Sequence, residues 1–271
     1  MSGQPPSSAV LRAFGVDGPA RPLDGGQRTS WVAGDLVLKP DAGPLAARLQ
    51  AWLAGALAAV TLDGLRLAAP ACTGEGAWVC QGWSAARWVE GSAPDYSAAS
   101  TWPRILAAGR AFHRAVRHLP RPDFIDARQD WWARADRAVW GERPLRFRAE
   151  FAAVARRLQR APQLRGRPQI VHADLTTNVL FAPGRVPAVI DVSPYWRPPQ
   201  YAEGVVIADA LCWHGAPASL RETVDVSVAA VARALLFRMA TTNERAAAGA
   251  DGIDVHDEAR RYARAADALG L

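Results

Sequence analysis

Apolar and polar positions change period several times along this chain, and the changes mark its elements. Ser8-Ala-Val-Leu-Arg-Ala-Phe14 predicts a short helix with a serine cap and Gly15 as its stop. Gln27–Val32 and Leu36–Lys39 read as strands of a small meander. The turn before them is Arg21-Pro-Leu-Asp-Gly-Gly26, and Ala33-Gly34-Asp35 is the turn between them. Leu45–Ala59, rich in Ala and Leu with Trp52 on its apolar side, predicts a long helix. Ala77–Gly82 and Ala85–Glu90 predict two more strands. The first part of the chain is thus a small sheet plus one long helix.

From Ser92 the period becomes helical. Tyr96–Leu119 has Phe112, Val116 and Leu119 at core spacing and is stopped by Pro120-Arg-Pro122. Trp131–Trp140 and Leu145–Leu158 are expected helices. Gln169–His172, Val179–Ala182 and Ala188–Asp191 are short apolar strands about a Pro183-Gly184 turn. Tyr201–Trp213, Ser219–Thr242 and Val255–Leu269 predict a helical end. Small, polar Ser92–Ser97 is the expected lobe boundary, giving a short disordered tail over 1–8, an N-terminal lobe over 9–91 and a C-terminal lobe over 92–271.

Composition narrows the class. Half of the residues are apolar and 21% are charged, which suits a globular chain. The apolar runs fall short of the ~20 residues that a membrane span requires. Met1–Ser8 lacks the basic start and apolar core of a signal peptide, and the three cysteines have no CxxC spacing, so a reduced, cytoplasmic protein is expected. The formal net charge of +6 lies wholly in residues 92–271, most densely from Arg143 to Arg167. Arginines at helical spacing usually make a solvated face, so nucleic acid is a disfavoured partner.

One further count changes the picture. Among 32 basic residues, 31 are Arg and one is Lys39, at the end of Asp35-Leu-Val-Leu-Lys39. A narrow ammonium on a thin stem differs from a planar fork, and a charge reaching into a cleft toward phosphate oxygens needs the former. The alternative is a codon that escaped drift toward Arg.

The densest chemistry is Ile170-Val-His172-Ala-Asp174-Leu-Thr-Thr-Asn178-Val-Leu-Phe181, followed by Val189-Ile-Asp191. Apolar strands in a hairpin are expected to carry Asp174, Asn178 and Asp191 to one edge. Two carboxylates and an amide oxygen suit a hard cation such as Mg²⁺, and Asp174 suits deprotonation of a hydroxyl.

With Lys39 upstream, these residues resemble the catalytic core of the aminoglycoside phosphotransferase and choline kinase group, small-molecule relatives of protein kinases. The resemblance runs from Gly25-Gly26 through Lys39 to the helix holding Asp209, and Phe112-His113 and Asp191-Val-Ser-Pro look like a separate branch. It implies an α+β, two-lobed protein-kinase-like fold with a small β-sheet N-lobe and a mainly helical C-lobe. It implies ATP, or GTP in its place, with Mg²⁺, and a small-molecule hydroxyl as acceptor. In that frame Gly25 and Gly26 cover the nucleotide phosphates, and Lys39 touches them. Trp88 and Val89, in the stretch to Gly91, offer backbone to the purine. Asp174 is the base, and Asn178 and Asp191 are the metal ligands. His172 steadies the loop, and Asp209 braces it. Tyr195, Trp196 and Arg197 are expected near the acceptor, as a stacking and anion-pairing group or as packing of a rigid loop.

Three departures stand beside the resemblance. Pro44–Leu62 contains no acid to pair with Lys39, and offers only Gln50, with Asp41 as a substitute if the chain folds back. Three residues separate Asp174 from Asn178, where the kinase pattern H-R-D-x-x-x-x-N has four. Val-Ser-Pro after Asp191 is stiffer than a glycine-containing segment. They keep open a nucleotide-binding scaffold or sensor without turnover. An Arg-rich nucleic-acid module is the more distant alternative.

Overall fold

A computed structural model describes residues 4–23 and 29–271, and the chain divides into two compact units. The first comprises Met1–Ala93, Pro122–Ala127 and Leu180–Asp191. The second comprises Pro94–Arg121, Arg128–Val179 and Val192–Leu271.

The first unit opens with helix α1 (Ser8–Ala13), capped by Ser7, whose side chain accepts from the Val10 amide; the cap is thus one residue earlier than the apolar run suggests. Strands β1 (Arg21–Pro22), β2 (Trp31–Ala33) and β3 (Leu36–Lys39) form the meander. Helix α2 (Pro44–Ala59) follows, with Pro44 in its first turn, where the missing N–H costs nothing. Then come β4 (Arg66–Leu67), β5 (Pro70–Ala71) and β6 (Ser84–Arg87). The five-stranded sheet runs β1-β2-β3-β6-β5. Lys39 stands opposite Ser84, and Leu36 opposite Arg87. Leu36 and Leu38 point into a core with Val10, Phe14, Val16, Ala33 and Ala85, so the alternation in β3 leaves Val37 and Lys39 on the other face.

Ala77–Gly82 is not a strand. Cys80 and Trp83 exchange backbone hydrogen bonds of 2.9 and 2.8 Å around Gln81 and Gly82, both at positive φ. That tight reversal is the two-residue hairpin geometry, and it consumes the segment.

The second unit contains α3 (Thr101–Val116), while the short helix α4 (Phe124–Ala127) belongs to the first unit. Then follow α5 (Trp131–Val139), α6 (Ala149–Gln159), β7 (Gln169–His172) and β10 (Pro194–Arg197); between the last two in sequence lie β8 (Val179–Leu180), at the boundary of the units, and β9 (Ala188–Val189), which belongs to the first unit. Helices α7 (Pro199–Trp213), α8 (Leu220–Thr223), α9 (Val228–Ala247) and α10 (Val255–Ala268) complete the chain. Helix α3 starts later than its apolar pattern. The Asp95 carboxylate takes the Ser97 amide at 2.9 Å and its hydroxyl at 2.6 Å, an Asx turn that competes with helix. The expected helix over Ser219–Thr242 is two helices, broken at Asp225 (φ +53°) and restarted by Ser227, whose hydroxyl accepts from the Ala230 amide at 3.2 Å.

Helix α7 is apolar all round and correspondingly buried, from Tyr201 to Cys212. Gly204 lets α9 approach it backbone to backbone. A methyl there would lie 2.3 Å from the Ala230 carbonyl oxygen. The expected hairpin of three strands is not formed as drawn. Strand β7 pairs antiparallel with β10, and β8 pairs with β9 in a separate sheet ordered β4-β9-β8.

Candidate functional site

In the first unit, Lys39 ends β3 on the face away from the core. Its ammonium forms an ion pair with the Asp191 carboxylate. The acid missing from α2 is therefore replaced, in this structure, by Asp191 rather than by Asp41. Asp191 adopts left-handed backbone (φ +53°), which Asp tolerates better than most residues, and its side chain is 51% exposed. Trp88 and Val89 follow β6. The Trp88 amide donates to the Asp35 carbonyl at 2.7 Å, its ring is exposed, and Val89 is half-buried. Beyond them Ser92 and Phe181 exchange hydrogen bonds of 3.0 and 2.9 Å. Gly91 (φ +149°) makes that approach feasible, since a Cβ would fall 2.9 Å from the Leu180 Cβ. Gly25 and Gly26 lie outside the described residues.

In the second unit, β7 delivers His172 and Asp174 to one loop. His172 is fully buried. Its Nδ1 accepts from the Asp174 amide at 3.2 Å, and its own amide donates to His113 Nε2 of α3 at 3.1 Å. His113 must be neutral to accept that bond. Burial, with the charge of His172 beside it, pushes its pKa down to about 3.

The three-residue spacing does not separate Asp174 from Asn178. The Asn178 amide N–H donates to the Leu175 carbonyl at 3.0 Å, closing a tight turn. Asn178 Nδ2 donates to the Asp174 carbonyl at 2.6 Å and to its carboxylate at 3.2 Å. This leaves the Asn178 side-chain oxygen without a protein donor among the described residues. Thr176 turns inward to donate to Asp209 at 2.8 Å, and Tyr96 donates to the Thr176 carbonyl at 2.9 Å.

Among the described residues, Asp209 of α7 meets the loop through the Thr176 side chain rather than through a backbone amide. It holds Thr176 and a bidentate guanidinium, Arg238 of α9, at 2.8 and 2.7 Å. The same Arg238 reaches the Asp174 carboxylate at 2.8 Å. Partial burial raises the Asp174 pKa. The Arg238 charge and hydrogen bond, with His172 and Asn178, outweigh it and leave the carboxyl below its ordinary value. Arg238 escaped sequence reading, although its signal resembled that of Asp209: a lone charge in the apolar run Leu235-Leu-Phe-Arg-Met239.

Tyr195 and Arg197 have internal partners. Tyr195 is buried on Phe237 and under Arg128, and burial pushes its pKa to about 12. Arg197 binds Asp136 at 2.6 Å and Glu142 at 2.7 Å. Trp196, between them on β10, is half-buried and faces the other side of the strand.

The side-chain oxygen of Asn178 in the second unit and the carboxylate of Asp191 in the first are each hard donors of the type that Mg²⁺ takes. Among the described residues, no three His, Cys, Asp or Glu side chains cluster as a cation cage. Also among the described residues, no helix is long and apolar enough to cross a membrane.

The chain resembles solved structures over nearly its whole length. An aminoglycoside phosphotransferase from Alicyclobacillus acidocaldarius superposes with a TM-score of 0.64 at 17% identity, covering 99% of this chain and 95% of that one. A microcompartment-associated aminopropanol kinase gives 0.58 at 18%, covering 97% and 94%. Spectinomycin phosphotransferase, in complex with ADP and spectinomycin, gives 0.57 at 13%, covering 96% and 92%. These likenesses show the two-lobed kinase-like fold. No curated protein sequence matches. The model of the phosphotransferase enzyme family matches residues 20–192, which run from the first strand through Lys39, Asp174 and Asn178 to just past Asp191, and the chain belongs to that family.

Proposed function

We propose that this phosphotransferase moves the γ-phosphoryl group of ATP, with Mg²⁺, to a hydroxyl of a small molecule. The observation that carries the reading is Asp174. It is a half-exposed carboxylate held ionised at neutral pH, in a loop fixed from α3, α7 and α9 and set beside an amide whose oxygen is left to other partners. In the proposed step the acceptor oxygen bonds to the γ-phosphorus as the bond to the bridging oxygen breaks. Asp174 takes the hydroxyl proton, and ADP leaves. Lys39 orients the phosphates, and Gly25, Gly26 and the Trp88–Gly91 backbone hold the nucleotide. Asn178 and Asp191 are the residues that would hold Mg²⁺, which would supply neutralisation of charge on the transferring group. Trp196 is the acceptor-side residue we retain, because Tyr195 and Arg197 are engaged internally. A complex of a similar fold with ADP supports nucleotide use.

The experiment is ADP release with ATP and Mg²⁺ across amino alcohols, sugars and aminoglycosides. The Asp174→Asn variant is expected to bind nucleotide like wild type and to lose turnover by about 10²-fold or more, since a general base contributes 10²–10⁴. Equal turnover in wild type and variant overturns the assignment of the base. The acid-free α2 favours a second reading, a scaffold without turnover. Nucleotide binding with no ADP release from any acceptor would establish it.

A further inference from the structure

We propose that Arg238 is a positioning residue, which ties the Asp174 side chain to Asp209 and sets the direction in which the carboxylate of the loop points. This rests on the reading of Asp174 as the base. Arg238 sits in the middle of α9, flanked by the buried Phe237 and Met239, and its side chain is only 11% exposed. A cation so placed is costly unless it is paired and hydrogen-bonded. Here it is. Its Nε and Nη2 bind the two oxygens of Asp209 at 2.8 and 2.7 Å, and Nη2 also reaches Asp174 Oδ1 at 2.8 Å.

The geometry is asymmetric. Asp209 is buried, held by two nitrogens and further satisfied by the Thr176 hydroxyl. Asp174 is 45% exposed and hangs from one shared nitrogen. The Asp209 fork fixes the guanidinium plane, and that plane then dictates where Asp174 Oδ1 sits. Among the described residues, Asp174 Oδ2 has only the 3.2 Å contact from Asn178, which makes it the oxygen available to an acceptor proton. The scaffold under the fork is stiff, since α7 and α9 meet backbone to backbone at Gly204 and Ala230. A lysine at this position would keep the charge but could not reproduce a fork spanning two carboxylates.

A role confined to neutralising Asp209 predicts something different, and two measurements separate the two. The first needs no activity. It is a thermal double-mutant cycle of Arg238→Met with Asp174→Ala, and Arg238→Lys replaces Arg238→Met if the latter does not fold. A direct tie makes the loss in Tm from changing Arg238 larger in the wild-type background than beside Asp174→Ala, by about 2–4 °C. Additive losses overturn the proposal.

The second is steady-state turnover with ATP and Mg²⁺ on whichever acceptor the wild type uses. Misplacement of a reacting group costs up to about 10²-fold. Arg238→Lys is therefore expected to lower kcat by about 10-fold or more, with KM for ATP within about two-fold of wild type, and Arg238→Met to lower it further. An unchanged kcat, or a loss confined to KM, overturns the proposal even if the cycle shows coupling. A wild type that turns over no acceptor removes the phosphotransfer reading itself, while the cycle still decides whether Arg238 holds Asp174.

Discussion

His113 and Arg238 hold the same loop by opposite means, one by being neutral and the other by being charged. His113 accepts the His172 amide at 3.1 Å and has a folded-state pKa of about 3, against an ordinary 6.5. The unfolded chain therefore binds a proton that the folded chain excludes. Its contribution is fully present above the ordinary pKa and is lost as pH falls below it toward the folded value. Between neutrality and about pH 5.5, unfolding free energy is expected to drop by about 1 kcal/mol on account of this group. Urea titrations at the two pH values check it. His113→Gln keeps an acceptor and removes the titration, so it should flatten that part of the dependence. An equally steep dependence in the variant would place the titrating group elsewhere. Arg238 behaves in the opposite sense. Burial pulls its pKa down, but Asp209 and Asp174 push it well above the ordinary value, so it stays charged throughout.

Helices α7 and α9 are the elements that bring Asp209 to Arg238, and Gly204 is where they touch. A methyl at this position meets the Ala230 backbone at 2.3 Å, and backbone cannot rotate away as a side-chain end can. Gly204→Ala is expected to destabilise by roughly 1–3 kcal/mol through overpacking. Gly55→Ala, in α2 with open space around it, should be neutral or stabilising by about 0.5–1 kcal/mol. Denaturation midpoints of the two variants make the comparison, and equal effects would mean that α9 yields where the geometry says it cannot. The elements also explain what the sequence revealed and what it hid. Strands Leu36–Lys39 and Gln169–His172 were legible to the residue, because apolar runs bounded by turn residues have one reading. Helix α10 was legible for its period and α7 as a long apolar run. The pairing of β7 with β10 was not, because the Pro-Tyr-Trp-Arg of β10 reads equally as loop and as strand until a partner is found. Asp191 beside Lys39 and Arg238 beside Asp174 are contacts across 152 and 64 residues, and no local pattern encodes them.

At the scale of the whole chain, several arginines are committed to its own carboxylates. Arg128, Arg134, Arg197 and Arg238 each bind an acid within 3.0 Å, and even in the basic run Arg148 and Arg157 pair with Glu150 and Asp267. Lys39 likewise pairs with an acid, Asp191, which is the residue assigned to the metal in the proposed function. A ligand that binds only the folded chain stabilises it by mass action, about 2.7 kcal/mol at 100 times its Kd. For a chain of this size that is roughly 5–10 °C in Tm. ATP with Mg²⁺ is expected to produce such a rise, and EDTA to reduce it. Lys39→Arg keeps the charge and widens the head, so it should melt within about 2 °C of wild type without ligand yet lose most of the ATP-induced rise, because a planar fork does not fit where a point charge reaches phosphate. A variant that gains as much from ATP as wild type would make the sole lysine an accident of composition. If millimolar ATP and GTP, with Mg²⁺ or Mn²⁺, leave the Tm of wild type unmoved, nucleotide is not the ligand of this fold.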